Sequence, residues 1–159
     1  MNNYKIVFMG TPDFGIPSLN ELYKQGYEVE AVYTQPDRVN KRGNKVQFSA
    51  VKQFALEHDI TIYQPNSLKD EKELDVLRAL NPDLIIVIAY GKILPQAVLD
   101  IPKYGVINVH ASLLPKYRGA APVQRSIIDG EETTGVTIMQ LDAGMDTGNI
   151  IAEKSVFIT

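Results

Sequence analysis

Short apolar runs alternate with longer amphipathic stretches from the first residues of the chain onward. Tyr4 to Met9 is apolar, of strand length, and ends in glycine, and Phe14 to Gln25 then repeats apolar residues at helical spacing, which predicts a strand followed by a helix. Thr11 or Asp13 suits the cap of that helix, Pro12 its first turn and Gly26 its exit. Tyr27 to Tyr33 predicts a second strand, Ala50 to His58 a helix, Ile60 to Tyr63 a short strand and Asp70 to Leu80 another helix. Leu84 to Ile88 is apolar at every position, the pattern of a central parallel strand covered on both faces. Gly105 to His110 predicts the next strand, Ala120 to Asp129 a helix, and Thr133 to Leu141 and Asn149 to Phe157 two strands around a glycine-bearing turn.

Strands and helices in this order predict an α/β fold: an open, mostly parallel, Rossmann-like sheet with right-handed connections and helices on both faces. Ligands of such sheets bind beyond the carboxyl ends of the strands. Because side chains alternate along a strand, Asn108 and His110 share a face with Val106 at that end of theirs, an amide beside an imidazole. On spacing alone, such a pair is either a satisfied polar couple or a site.

Composition narrows the field. A chain of 159 residues, 45% hydrophobic and 22% charged, suits one domain with a sizeable core, and it carries no repeats or linkers. Cysteine is absent and only two histidines are present, which rules out disulfides and thiolate sites and leaves little from which to build a metal centre. The longest apolar stretch, Leu84 to Tyr90, falls far short of the roughly 20 residues of a membrane span, and no secretory run opens the chain, so a soluble cytoplasmic protein with no membrane partner is expected. Net charge is −3, yet Arg38, Lys41, Arg42, Lys45 and Lys52 against the single acid Asp37 make Gln35 to Lys52 +4, leaving −7 elsewhere. That stretch is either a solvated surface loop or the contact for an anionic partner.

Two further features invite and then lose a functional reading. Gly10 to Gly15 lacks both the Gly-x-Gly-x-x-Gly pattern and a phosphate-binding lysine, so it predicts a tight strand-to-helix turn and not a phosphate cradle. His58 stands at a predicted helix end, where an imidazolium complements the helix dipole, and takes no catalytic role.

The motifs acquire a joint meaning through resemblance. Asn108-x-His110, the loop Ser112-Leu113-Leu114-Pro115 with Arg118-Gly119, and Asp146 in Leu141 to Gly148 together resemble the active site of the 10-formyltetrahydrofolate transferases. Phe8 to Gly15, and Thr34 to Arg38 with the basic loop behind it, narrow the resemblance to the methionyl-tRNA formyltransferase family, over the whole chain. The resemblance implies that residues 1–159 are a truncated catalytic domain, without the family's C-terminal barrel, acting as a monomer. It implies 10-formyltetrahydrofolate as co-substrate, no metal, and methionyl initiator tRNA as acceptor. Asn108, His110 and Asp146 would be catalytic: an amide to steady the oxyanion, an imidazole to donate a hydrogen bond or move the proton, and a carboxylate to orient it. Asp146 taken alone is ordinary turn chemistry. By the same resemblance Ser112, Leu113, Leu114 and Pro115 form the folate loop, Ile88, Tyr90, Ile93 and Leu94 belong to the segment lining the pterin pocket, and the Gly10 to Gly15 turn lies near the acceptor amine. Arg42, with Lys41 and Lys45, would engage the tRNA acceptor end. Two rivals stand beside this: a transferase of the same chemistry acting on a glycinamide ribonucleotide or amino-sugar nucleotide, and a non-catalytic fragment that binds tRNA or folate.

Overall fold

The computed structural model describes residues 4–39, 45–110, 133–141 and 150–157. In chain order the elements are β1 (Lys5–Gly10), α1 (Ile16–Lys24), β2 (Glu28–Tyr33), β3 (Arg38–Val39), β4 (Val46–Gln47), α2 (Ala50–Glu57), β5 (Thr61–Tyr63), α3 (Glu71–Leu80), β6 (Leu84–Ile88), α4 (Gln96–Leu99), β7 (Val106–His110), β8 (Thr133–Gln140) and β9 (Ile150–Phe157). Seven strands form one sheet in the order β5-β2-β1-β6-β7-β8-β9. Neighbours from β5 through β7 are parallel, whereas β8 runs antiparallel to β7 and β9 antiparallel to β8. The expected open, mostly parallel sheet is therefore the one observed. The helix expected over Ala120 to Asp129 lies outside the described residues.

Alternation along the central strands divides the core between the two faces of the sheet. Val7 and Met9 of β1 pack with Ile85 and Val87 of β6 and with Leu77 of α3 on one face. Phe8 of β1 packs with Leu19 of α1 and Val51 and Phe54 of α2 on the other. Phe8, Leu19 and Leu77 are fully buried, and each side chain of this kind contributes about 1.5–3 kcal/mol. Both faces of β1 and β6 are thus covered, which is why Leu84 to Ile88 carries no polar residue.

Helix ends show where local sequence rules held and where they yielded. Ser49 caps α2 by accepting from the Lys52 N–H, and Asp70 caps α3 by accepting from the Lys72 N–H. Gly26 leaves α1 at φ +80°, as expected of a helix exit. The start of α1 differs from expectation. A 3-10 turn at Asp13–Gly15 intervenes, Gly15 is the cap without a side-chain bond, and Pro17, not Pro12, occupies the first helical turn. Neither Thr11 nor Asp13 caps it, and the Thr11 hydroxyl is engaged elsewhere, with the Tyr90 carbonyl. Two elements were not anticipated: the four-residue α4, too short to show a period, and the β3–β4 bridge, in which Arg38 pairs with Gln47 across the basic loop.

Candidate active site

The parallel strands end together at one edge of the sheet, where Gly10 of β1 lies opposite Ile88 of β6 and Val87 lies opposite Asn108 of β7. Close approach is built into the first pair, since a Cβ at Gly10 would stand 2.7 Å from the Ile88 carbonyl oxygen and 2.8 Å from the Phe8 ring. Asn108 is half-buried and shares its face with Val87 and Val106, and the backbone of His110 closes β7 two residues further on. Asn108 and the His110 backbone therefore lie at the carboxyl end of the same strand, two residues apart.

The other expected members of the site are placed unevenly. Asp146 and Ser112, Leu113, Leu114 and Pro115 lie outside the described residues. The Leu141 N–H, at one described end of the stretch that carries Asp146, donates to the Val106 carbonyl at 2.8 Å, and Ile150, at the other, pairs with Met139.

Of the residues expected around a pterin, Ile88, Tyr90 and Leu94 are core residues, exposed by 1%, 1% and 8%, while Ile93 is 74% exposed. What this edge exposes among the described residues is the Ile93 side chain and, in the turn after β6, Ala89 and Gly91. Ala89 there takes φ +52° and Gly91 φ +85°. The left-handed region costs a non-glycine residue about 1–2 kcal/mol, so the Ala89 turn is strained and must be held from outside.

Three hydrogen bonds hold it. The Thr11 hydroxyl donates to the Tyr90 carbonyl at 2.9 Å and accepts from the Gln35 N–H at 3.3 Å. The Gln35 side-chain amide donates to the Gly91 carbonyl at 2.8 Å. These partners come from the loops after β1 and β2, both within motifs that carried the resemblance, but sequence alone gave no sign that they would bond to the turn after β6. Beneath the turn, the hydroxyls of Tyr33 and Tyr90 are buried with no hydrogen-bond partner among the described residues. Burial, more than their neighbours Tyr63 and Glu73, pushes the Tyr33 hydroxyl well above its ordinary value, and burial does the same for Tyr90.

The basic loop is anchored at its base by a second network. Lys52 pairs with Asp37 at 2.7 Å, donates to the Gln64 side chain at 3.0 Å, and sits 3.9 Å from the centre of the Phe48 ring. Gln64 in turn donates to Asp37 at 2.7 Å and to the Gln35 carbonyl at 3.1 Å. The Lys52 hydrogen bond, then that of Gln64, lowers the Asp37 carboxyl below its ordinary range. Lys52, one of the cations of the patch in sequence, is therefore committed to the brace. Lys45 is exposed, and Lys41 and Arg42 lie outside the described residues. His58 stacks on Phe54 at 3.9 Å with its Nδ1 2.8 Å from the Phe54 carbonyl oxygen, a helix-end role far from β7 in sequence. Among the described residues no group of three or more His, Cys, Asp or Glu side chains is arranged to hold a metal, and no helix is long and apolar enough to cross a membrane.

The sequence profile described as "Formyl transferase" matches residues 4–159. The methionyl-tRNA formyltransferase of Clostridium perfringens (strain SM101 / Type A) is 58% identical over 156 residues, covering 98% of this chain and 50% of that protein. That of Caldanaerobacter subterraneus subsp. tengcongensis is 55% identical over 155 residues, 97% of this chain and 50% of that protein. The chain spans about half the length of the curated relatives it matches. In fold it resembles the crystal structure of phosphoribosylglycinamide formyltransferase from Bacillus halodurans, with a TM-score of 0.78 at 23% identity over 98% of this chain and 80% of that one.

Proposed function

The chain belongs to the formyl transferase family, and from that premise we propose that residues 1–159 supply catalytic machinery for moving a formyl group from N10 of 10-formyltetrahydrofolate to the amino group of methionyl initiator tRNA. The observation that supports the proposal is the pairing of Val87 with Asn108, which brings Asn108 to the strand end where the strained turn after β6 begins. The acceptor is read from relatives that share more than half of this chain's residues and are named for methionyl-tRNA.

The chemistry follows from what an amide and an imidazole do at such an edge. The acceptor amine attacks the formyl carbon, the carbonyl electrons move onto oxygen, and the bond to N10 then breaks as N10 takes up a proton. Asn108 donates its side-chain N–H to the developing oxyanion, an interaction that strengthens only as charge forms there. His110 donates a second hydrogen bond or takes the proton released by the amine. Asp146 holds the imidazole in its working tautomer. The donor's pteridine lies against the turn after β6, near Ile88, Tyr90, Ile93 and Leu94, with the loop of Ser112 to Pro115 beside it. Lys41, Arg42 and Lys45 meet the phosphates of the tRNA acceptor end. The same reading makes the protein monomeric and cytoplasmic, with no metal.

Single-turnover transfer from 10-formyltetrahydrofolate, run in parallel on methionyl initiator tRNA and on glycinamide ribonucleotide, tests the proposal. Formylation of the tRNA with none of the nucleotide is the expected result. The reverse preference would transfer the chain to another acceptor class, and folate or tRNA binding without turnover would make it a binding fragment.

A further inference from the structure

The turn after β6 needs external support, and the side chains that give it come from far away in sequence. Ala89 and Gly91 both have positive φ on either side of the buried Tyr90. With β6 ended at Ile88, the carbonyls of Tyr90 and Gly91 accept from side chains: the Thr11 hydroxyl and the Gln35 amide, 79 and 56 residues away. The Thr11 hydroxyl has one proton, and its use on the Tyr90 carbonyl leaves a lone pair for the Gln35 N–H, so the three bonds have one consistent polarity. The fit is close, because a Cβ on Gly91 would stand 2.7 Å from the Gln35 amide nitrogen.

Gln35 is also the first residue of the basic stretch. Its carbonyl accepts from Gln64, which binds Asp37, which pairs with Lys52. The turn after β6 and the base of the basic loop are thus parts of one hydrogen-bonded body, although they belong to different strand ends.

We infer that Thr11 and Gln35 are positioning residues of the formyl-donor site: they hold the Ala89–Tyr90–Gly91 turn in the left-handed shape that the pteridine meets and keep it in register with the base of the basic loop. This rests on the proposed folate reading and adds to it two residues that act through the turn. Neither takes part in bond making. Their effect is on where the donor sits, since a small displacement of a positioned reactant is enough to cost rate and affinity.

The test is calorimetric titration of the 159-residue chain with a non-hydrolysable 10-formyltetrahydrofolate analogue, well below the melting temperature of each variant. Thr11→Val, which keeps shape and removes the hydroxyl, and Gln35→Leu should each weaken binding by about tenfold or more. Thr11→Ser, which restores the hydroxyl, should stay within about threefold of the unaltered chain. A purely structural role would lower melting temperature without this pattern of affinity. If Thr11→Val does not fold, Gln35→Leu decides alone. Binding by the unaltered chain that is undiminished in Thr11→Val and Gln35→Leu, or lost equally in Thr11→Ser and Thr11→Val, overturns the inference and leaves the folate reading standing. No binding by the unaltered chain overturns both.

Discussion

Replacing Tyr90 by phenylalanine should stabilise the fold, against the usual expectation for trimming a fully buried side chain. The Tyr90 side chain is 1% exposed and its hydroxyl has no partner among the described residues. A hydroxyl buried without a compensating bond costs about 1–3 kcal/mol. Phenylalanine removes that cost and keeps the ring, leaving a void of roughly one oxygen atom, about 10 Å³, worth only some 0.2 kcal/mol. The net gain expected is about 1 kcal/mol, or about 2–4 °C in melting temperature for a chain of this size. Tyr33→Phe should behave alike, since its hydroxyl is also buried and has no partner among the described residues. Urea and thermal unfolding read the change directly. An alkaline arm checks its cause: burial raises both hydroxyls above the ordinary value of 10.0, so the contribution of the folded state is intact below that pH and is lost as pH rises through the raised values. The double phenylalanine variant should therefore keep more of its stability above pH 10.0 than the unaltered chain does. A loss of more than about 1 kcal/mol in either variant would show that the hydroxyl is hydrogen-bonded and refute the reasoning.

Three other outcomes follow from the site. His110→Ala, in a preparation that turns over, should lower kcat by about 10²–10⁴ with little change in donor affinity, and near-normal turnover would remove His110 from the mechanism. Replacing Lys41, Arg42 and Lys45 together by alanine should reduce the slope of log affinity for tRNA against log salt by about 2–3, and an unchanged slope would return the loop to a solvated surface. Asp37→Asn should cost about 0.5–1 kcal/mol at neutral pH, a modest figure because the Asp37–Lys52 pair is partly exposed. Because Asp37 is lowered from 3.8 in the fold, its contribution is present above that pH and disappears as acid protonates it, so the variant and the unaltered chain should converge in stability below that range.

What the sequence disclosed and what it withheld divide along a physical line. The uninterrupted apolar run Leu84–Ile88 foretold a central strand covered on both faces, and the pattern of Val106 to His110 foretold a strand that carries Asn108 near its carboxyl end. Both are properties of consecutive residues. Thr11 suited a helix cap by the same local rules, yet its hydroxyl went to a carbonyl 79 residues away because a 3-10 turn moved the helix start to Ile16. Tyr90 had the look of a pocket wall, whereas its ring is core and the backbone around it is what faces outward. Lys52 counted as a surface cation until Asp37 and Gln64 were seen to claim it. The direction of β8 was equally unreadable, since an apolar strand pattern does not encode whether the strand pairs parallel or antiparallel.

The measurement that bears most directly on the proposed function is calorimetric titration of the folded 159-residue chain with the 10-formyltetrahydrofolate analogue, repeated on Asp146→Ala. Saturable one-to-one binding that Asp146→Ala leaves within about threefold is the predicted result, because the carboxylate acts through the imidazole. No binding by the unaltered chain would contradict the donor site at this edge of the sheet, and loss of binding in Asp146→Ala would contradict the orienting role given to the carboxylate.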